Sequence, residues 1–280
     1  MAASRATGCP SDSMKPLGVI FDLDGTLVLS HHDFGRMRAA IVRTALAYGG
    51  RPGRLVVGEQ SGTSQTLRAA QGELRAAGVS SEVLARFAAE VDQRIEAIEM
   101  EAVGRTVARK GARELLGALK VPGRRLGVFT RSSETFCRAA LGHTGLLDFF
   151  TYFRTRSSPG PAKPSPESLR LLLRSMELPS ERALFVGDHL EDAQCAAGAG
   201  IRFLGLLPDP KNPNRTTAEQ FLAEGASSVA ADLVGIGRLI GITNPSAAAA
   251  GPRRRLTGFG GSAARPPRPG QGEKRGRKPS

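Results

Sequence analysis

Short apolar runs alternate along most of the chain with longer segments whose apolar residues recur every three or four positions. The runs are rich in Val, Leu and Phe and are bounded by Gly, Pro or charged residues, which is typical of buried strands. Strands are predicted at about 17–23, 125–130, 149–153, 183–187 and 202–207, and helices at 110–119, 134–141, 165–176 and 190–199. This alternation predicts an α/β fold whose parallel sheet is covered on both faces.

Residues 31–108 interrupt the alternation with a pattern that is helical. Met37 and Ile41 have the spacing of one helix face, and Ser80 stands where the N-cap of a further helix is expected. The chain therefore divides into a few predicted regions. These are a disordered leader at 1–16, an α/β core at 17–30 and 109–245, the helical insertion at 31–108, and a disordered basic tail at 246–280.

The net charge of +13 is concentrated in that tail. Residues 253–278 carry nine Lys or Arg and one acidic residue, Glu273, so their net charge is +8. Such a segment could bind nucleic acid or direct nuclear import, but its only aromatic residue is Phe259, so base stacking is not indicated. A solubilising tail is the favoured interpretation, and nucleic-acid binding stays an alternative.

Composition also bears on where the protein works. Three cysteines without metal-ligand spacing favour a reducing compartment, so we expect an intracellular, cytoplasmic protein. The leader is poor in acidic residues, and organelle targeting is a second interpretation of it. No apolar run has the length of a membrane span, so no membrane partner is expected.

The first candidate for chemistry is the segment around Asp22 and Asp24, which follows the first apolar run and precedes Gly25. On a strand continued to Asp24, residues two apart share a face, so the two carboxylates would repel each other. A surface turn would also use Asp and Gly. A cation between the acids explains their place after a buried strand better, and Mg²⁺ commonly binds carboxylates together with substrate phosphate.

Three more segments place polar residues after predicted strands or before a helix. Thr130 and Arg131 follow the second strand, where a hydroxyl and backbone N–H groups could bind phosphate, although helix capping by the serines that follow is the simpler alternative. Lys163 lies in a proline-rich loop, where it could offset phosphoryl charge or simply be solvated. Asp188 and Asp192 follow another strand and begin a helix, so they could bind metal or only complement the helix dipole.

Together these segments resemble the four motifs of the haloacid dehalogenase superfamily, beginning with Asp22-Leu23-Asp24-Gly25-Thr26-Leu27. The resemblance covers about residues 17–245 and points to members like phosphoglycolate phosphatase. It implies a Rossmann-like core, a helical cap at 31–108 and Mg²⁺-dependent phosphoryl transfer. Superfamily members that dehalogenate lack the second Asp, so Asp24 favours phosphoryl chemistry.

The resemblance also implies a role for each candidate residue. Asp22 would be the nucleophile, Asp24 the acid and base, and Lys163 the cation that shields the phosphoryl group. Thr130 would bind the substrate phosphate, with a contact from Arg131. The implied Mg²⁺ ligands are Asp22, the backbone carbonyl of Asp24, Asp188, and Asp192 directly or through water.

We therefore predict a Mg²⁺-dependent phosphatase that hydrolyses a small phosphorylated metabolite through an aspartyl-phosphate. A sugar phosphomutase would use the same motifs, and a non-catalytic protein with a nucleic-acid-binding tail is a third alternative. The polar stretch 58–64 is a candidate for substrate selection, and most arginines of the insertion are expected on solvated helix faces. The substrate and the oligomeric state stay open.

Overall fold

The computed structural model describes residues 16–54, 62–208 and 216–242. The strands of this part of the chain are β1 Gly18–Phe21, β2 Val28–Leu29, β3 Val107–Ala108, β4 Arg125–Phe129, β5 Tyr152–Arg154, β6 Ala183–Gly187, β7 Arg202–Leu206 and β8 Ser228–Ala230. Its α-helices are α1 Phe34–Ala47, α2 Thr63–Ala76, α3 Ser81–Glu101, α4 Ala112–Leu119, α5 Glu134–His143, α6 Pro166–Ser175, α7 Leu190–Ala199, α8 Ala218–Ala223 and α9 Leu233–Leu239.

Six strands form one parallel sheet in the order β5-β4-β1-β6-β7-β8. The first strand lies in the middle, with Phe21 paired to Val128 on one side and to Val186 on the other. The predicted α/β class with a Rossmann-like sheet is confirmed. Because the chain order reverses at β1, a crevice is expected at the carboxyl ends of β1, β4 and β6.

The two faces of the sheet are covered by separate apolar clusters. Along β1, Val19 and Phe21 point into one cluster and Ile20 points into the other, as alternation along a strand requires. Helices α4, α5 and α9 supply buried residues to the first cluster, and α6, α7 and α8 supply them to the second. Burial on both faces explains why β1 reads as an unbroken apolar run.

The predicted helices of the insertion are confirmed as α1, α2 and α3, which share a third buried cluster that includes Met37, Ile41 and Phe87. The Ser80 hydroxyl accepts a hydrogen bond from the N–H of Val83 and caps α3, as predicted. The last two residues of the segment are not helical. They form β3, which pairs with β2 in a short antiparallel ribbon where the chain leaves and rejoins the sheet. A capping role for this helical unit, residues 34–101, stays a prediction.

Some predicted boundaries were wrong. The strand expected at 149–153 begins only at Tyr152, because residues 147–149 form a turn of 3-10 helix. The segment 202–207 was taken as the last clear strand, but β8 adds another short one. The leader 1–16 apart from Pro16, the tail 246–280 and most of the 58–64 stretch lie outside the described residues. Within the described part, none of the helices is both long and apolar enough to cross a bilayer.

Candidate active site

The polar residues predicted from the sequence converge at the carboxyl ends of the three central strands. Asp22 follows β1, Thr130 follows β4 and Asp188 follows β6. The N–H of Asp22 donates to the carbonyl of Val186 at 2.9 Å, which continues the ladder and fixes the backbone beneath the carboxylate. The parallel register therefore brings residues that are more than a hundred positions apart into one site.

Lys163 reaches this edge from the loop between β5 and α6. Its Nζ lies 2.5 Å from Asp22 Oδ1 and 2.7 Å from Asp192 Oδ1, and it donates to the carbonyl of Phe129 at 3.2 Å. The side chain is only 3% exposed. Although burial lowers its pKa, the charges of Asp192 and Asp22 outweigh burial and raise the pKa of Lys163 above its usual value. The ammonium group is therefore charged and is shared by two carboxylates.

Three carboxylates cluster here, and two of them, Asp22 and Asp192, contact the ammonium group. Ligand oxygens of Asp22, Asp188 and Asp192 lie within 4.8 Å of one another. Asp188 Oδ1 accepts a hydrogen bond from the Thr26 hydroxyl at 2.8 Å. The negative charge of the cluster therefore exceeds the positive charge that Lys163 supplies.

The crowding of these carboxylates is visible in their pKa values. Burial raises the pKa of Asp22 to about 6, because the nearby Lys163 offsets only part of the desolvation and Asp192 adds repulsion. Burial and the charges of Asp22 and Asp192 raise the pKa of Asp188 well above its usual range. A divalent cation would relieve both effects, and carboxylate oxygens are the ligands that Mg²⁺ prefers. The residues present therefore fit the implied metal.

Two glycines allow the carboxylates to come this close. Gly25 has φ +85°, and a Cβ placed on it would lie 2.2 Å from Asp188 Oδ2. A Cβ on Gly187 would lie 2.3 Å from Asp192 Oδ2. Any side chain at either position would push a carboxylate out of the cluster, and Gly25 additionally adopts a conformation that strains other residues.

Asp24 immediately precedes Gly25 and is not part of the carboxylate cluster. Its Oδ1 accepts a hydrogen bond from the N–H of Ser30 at 3.0 Å, and its backbone forms an isolated bridge with Val28. It is half-buried, whereas Asp22 is buried. Of these two acids, only Asp22 therefore joins the carboxylate cluster, and Asp24 keeps access to solvent.

The loop from Thr130 to Ser133, which we call the phosphate loop, follows β4. The Thr130 hydroxyl accepts from the N–H of Ser132 at 3.1 Å, which leaves its proton for another acceptor. Ser133 caps α5 by accepting from the N–H of Phe136, so the capping alternative is correct for that residue and does not compete with the role predicted for Thr130. Within the described residues, the N–H of Arg131 has no acceptor.

Arg131 and Asp192 have contacts that the sequence did not predict. The Arg131 guanidinium pairs with Glu191 and donates to the Ser64 hydroxyl at 3.4 Å. Glu191 is only partly exposed in this pairing. Asp192 Oδ2 accepts from the N–H of His189 at 3.2 Å, which closes a capping box at the start of α7. Asp192 Oδ2 therefore has a hydrogen-bond donor, whereas the buried Oδ1 has the ion-pair contact with Lys163 but no partner of hydrogen-bond geometry within the described residues.

Other residues at the site were given no role from the sequence. Thr26 was quoted only as part of the first motif, yet it donates to Asp188. Arg154 donates to the carbonyls of Pro159 and Pro161 and holds the loop that carries Lys163. Glu99 and Arg156 contact the phosphate loop from outside. The apolar run before Arg154 predicted its strand, but nothing in the sequence indicated which way these side chains point.

The comparisons with known proteins agree with this geometry. The sequence model of haloacid dehalogenase-like hydrolases matches residues 17–200. A phosphoglycolate phosphatase of Pseudomonas savastanoi pv. phaseolicola is 34% identical over 199 residues, which cover 68% of this chain and 69% of that protein. A phosphoglycolate phosphatase of Cereibacter sphaeroides is 32% identical over 194 residues, covering 66% of this chain and 83% of that protein.

Solved structures give the same fold. The phosphate complex of CbbY from Rhodobacter sphaeroides superposes with a TM-score of 0.53 at 22% identity, covering 79% of this chain and 96% of CbbY. A haloacid dehalogenase-like hydrolase from Bacteroides fragilis superposes with a TM-score of 0.55 at 22% identity, covering 80% of this chain and all of that protein. At this identity the likeness establishes the fold alone.

Proposed function

The chain belongs to the haloacid dehalogenase-like hydrolases and is a phosphatase of small phosphate esters, and we propose that Asp22 is its nucleophile and Mg²⁺ its cofactor. The observation that carries this proposal is the set of three carboxylates around one buried lysine at the end of β1. A structural ion pair would not need three acids for one cation. A site that receives both a divalent cation and a phosphate would.

Four residues would hold the metal. Asp22 and Asp188 would supply carboxylate oxygens, and Asp24 would supply its backbone carbonyl. Asp192 would bind directly or through water, since its Oδ2 accepts from the N–H of His189 while its Oδ1 has only the ion-pair contact with Lys163. When bound, Mg²⁺ would offset the negative charge of the phosphate and so allow an anionic carboxylate to approach it.

The chain's own residues would then carry the reaction. Asp22 attacks phosphorus and forms an aspartyl-phosphate while the bond to the leaving oxygen breaks. Asp24, which is separate from the cluster and half-buried, donates a proton to the leaving alcohol and later takes one from the attacking water. Lys163 holds Asp22 in place by its 2.5 Å contact and adds positive charge beside the transferring group.

The phosphate loop would hold the phosphate during both steps. The Thr130 hydroxyl keeps its proton for a phosphate oxygen, and the N–H of Arg131 is available within the described residues. The Arg131 guanidinium, which is partly exposed, would contact the rest of the substrate. We propose phosphoglycolate as the first substrate to test, because relatives named phosphoglycolate phosphatase match across two thirds of this chain.

Three wider expectations remain proposals. The helical unit 34–101 would act as a cap that excludes water while the phosphate is transferred. A cytoplasmic location is supported by the buried free thiols of Cys137 and Cys195. Weak, salt-dependent binding of nucleic acid by the basic residues after 250 would be a secondary property.

Phosphate release from a panel of esters tests the proposal. The panel contains phosphoglycolate, sugar phosphates, nucleoside monophosphates and an aryl phosphate, each with Mg²⁺ or with chelator. We expect release that requires Mg²⁺ and that Asp22→Asn abolishes, whereas the exposed control Asp148→Asn keeps it. Release that survives chelation or survives Asp22→Asn would contradict the proposed metal or nucleophile, respectively.

A further inference from the structure

A second ion pair, which is largely buried, contacts the phosphate loop and lies outside the carboxylate cluster. Glu99 is on α3 of the helical unit, and Arg156 follows β5 in the core. The Arg156 Nη1 lies 2.7 Å from Glu99 Oε1, and its Nη2 lies 3.0 Å from Glu99 Oε2. The Glu99 side chain is 4% exposed and the Arg156 side chain is 19% exposed. This bidentate pair therefore joins the helical unit to the core, with the carboxylate buried and the guanidinium largely shielded from water.

Both partners also contact the backbone of the phosphate loop. The N–H of Ser133 donates to Glu99 Oε2 at 3.2 Å. The carbonyl of Arg131 accepts from Arg156 Nη1 at 2.9 Å, and the carbonyl of Ser132 accepts from the backbone N–H of Arg156 at 3.0 Å. Each of three consecutive loop residues thus has one backbone group hydrogen-bonded to Glu99 or to Arg156. What remains for a phosphate is the Thr130 hydroxyl and the N–H of Arg131.

The placement of Glu99 is costly unless it serves the loop. A buried carboxylate close to a phosphate site would repel the substrate, and its desolvation is unfavourable. Arg156 offsets that charge, and a further contact with Asp92, two turns earlier on the same face of α3, holds the guanidinium plane. Packing alone would be satisfied by apolar residues at this position. The observed pair adds directional hydrogen bonds to the loop backbone, which apolar residues cannot make.

We propose that Glu99 and Arg156 are positioning residues, which set the shape of the phosphate loop so that Thr130 and the N–H of Arg131 meet the substrate phosphate. The proposal rests on the proposed function, and it adds that a residue of the helical unit contributes to phosphate binding. Because the contact is direct, the position of α3 and the shape of the loop depend on each other. Neither residue touches the reacting atoms.

Glu99→Gln and Arg156→Lys are the informative substitutions. A glutamine has one acceptor oxygen, so it cannot accept from Ser133 and also accept from both Arg156 nitrogens, although its size is unchanged. A lysine keeps the charge but cannot form the bidentate contact or reach the Arg131 carbonyl in the same geometry. Glu101→Gln is the matched control, because Glu101 lies on the same helix and pairs with Arg36 by two hydrogen bonds on the surface.

The sign of the removed charge separates positioning from long-range electrostatics. Glu99→Gln removes a negative charge, and a third variant, Arg156→Gln, removes a positive one. If the pair acted only through its electric field, phosphate would bind more tightly to the first variant and more weakly to the second. If the pair positions the loop, both variants bind phosphate more weakly than wild type.

The experiment measures kcat and KM with the best ester of the panel, the affinity for inorganic phosphate by calorimetry with Mg²⁺, and the melting temperature. We expect KM and the phosphate Kd to rise about tenfold in Glu99→Gln and Arg156→Lys while kcat falls less, because the loop holds the phosphate before and during transfer. Glu101→Gln should match wild type. Measurements are made well below the melting temperature of each variant.

Three results would overturn the proposal. One is opposite changes of phosphate affinity in Glu99→Gln and Arg156→Gln. Another is a lowered melting temperature with KM and phosphate affinity within twofold of Glu101→Gln, which would make the pair merely structural. The third is unchanged behaviour of all variants. A wild-type protein that is folded but inactive on every ester would instead contradict the proposed function, so the two failures are distinguishable.

Discussion

Two cationic side chains donate to backbone carbonyls of the phosphate loop or of the residue before it, and each is shared by two carboxylates. Lys163 contacts Asp22 and Asp192, and Arg156 contacts Glu99 and Asp92. They differ in what else surrounds them. A third carboxylate, Asp188, adjoins the lysine cluster, whereas the loop backbone supplies the additional hydrogen bonds of the arginine cluster.

This difference separates a reacting site from a supporting one. In the lysine cluster negative charge exceeds positive charge, and the pKa values of Asp22 and Asp188 are raised as a result of burial and repulsion. In the arginine cluster, burial lowers the pKa of Arg156, but its contacts with Glu99 and Asp92 raise it further than burial lowers it. The first arrangement keeps surplus negative charge that a further cation would offset, and in the second the ion pairs and hydrogen bonds are complete without one.

The largest effect is expected from removing the cation of the lysine cluster. Lys163→Met leaves Asp22 and Asp192 buried without their shared partner, so phosphate release should fall by at least about a thousandfold. The free energy of unfolding without Mg²⁺ should fall by about 3 kcal/mol, because uncompensated charges stay buried. Kinetics and urea unfolding measure the two effects. Lys120 is an exposed lysine that donates to the carbonyl of Asp148, so Lys120→Met should change neither the rate of phosphate release nor the free energy of unfolding by much.

Removing the surplus acid should have an opposite effect on stability. Asp188→Asn relieves repulsion, so the protein in chelator should melt about 3 °C higher than wild type at pH 7. The variant should also lose the increase in melting temperature that Mg²⁺ gives to wild type, because a ligand has been removed. Thermal melts with and without Mg²⁺ decide this. A lower melting temperature in chelator would mean that Asp188 is structural rather than a metal ligand.

The stability of the metal-free protein should depend on pH through Asp22. Its pKa is about 6 in the fold, against an ordinary value of 3.8, so the folded state binds the proton more tightly than the unfolded state. The stabilisation that the fold gains from protonated Asp22 is therefore complete below pH 4 and is lost as pH rises through 6. Relative to Asp22→Asn, the wild type should lose on the order of 2 kcal/mol over this range. Urea unfolding in chelator measures it, and Mg²⁺ should reduce the loss.

The two clusters also differ in how far the sequence predicted them. Asp22, Thr130, Lys163 and Asp188 each follow an apolar run or precede a helix, so a parallel sheet was enough to bring them together. The resemblance to a known family then gave their roles. The arginine cluster follows from no such rule. Its glutamate lies within a helix of the insertion, at a position that the helical period alone would assign to a buried apolar face.

The fold shows the same limit. The long apolar runs predicted β4, β6 and β7 almost to the residue, because burial on both faces leaves a clear pattern. The ribbon of β2 and β3 was missed, because each strand has only two residues and both residues of β3 are exposed. Short edge elements depend on tertiary contacts, which leave no period in the sequence.

The smallest expected effect comes from a third pair, which isolates burial from geometry. Arg36 and Glu101 form the same two-pronged contact as Arg156 and Glu99, but both side chains are 52% exposed. Water screens the exposed pair, so Glu101→Gln should change the melting temperature by no more than about 1 °C. Glu99→Gln should lower it by roughly 5 °C, since a buried guanidinium loses part of its partner. Parallel thermal melts measure both shifts. Equal shifts would mean that burial does not distinguish the two pairs, and that the Glu99–Arg156 pair contributes no more to stability than an exposed ion pair does.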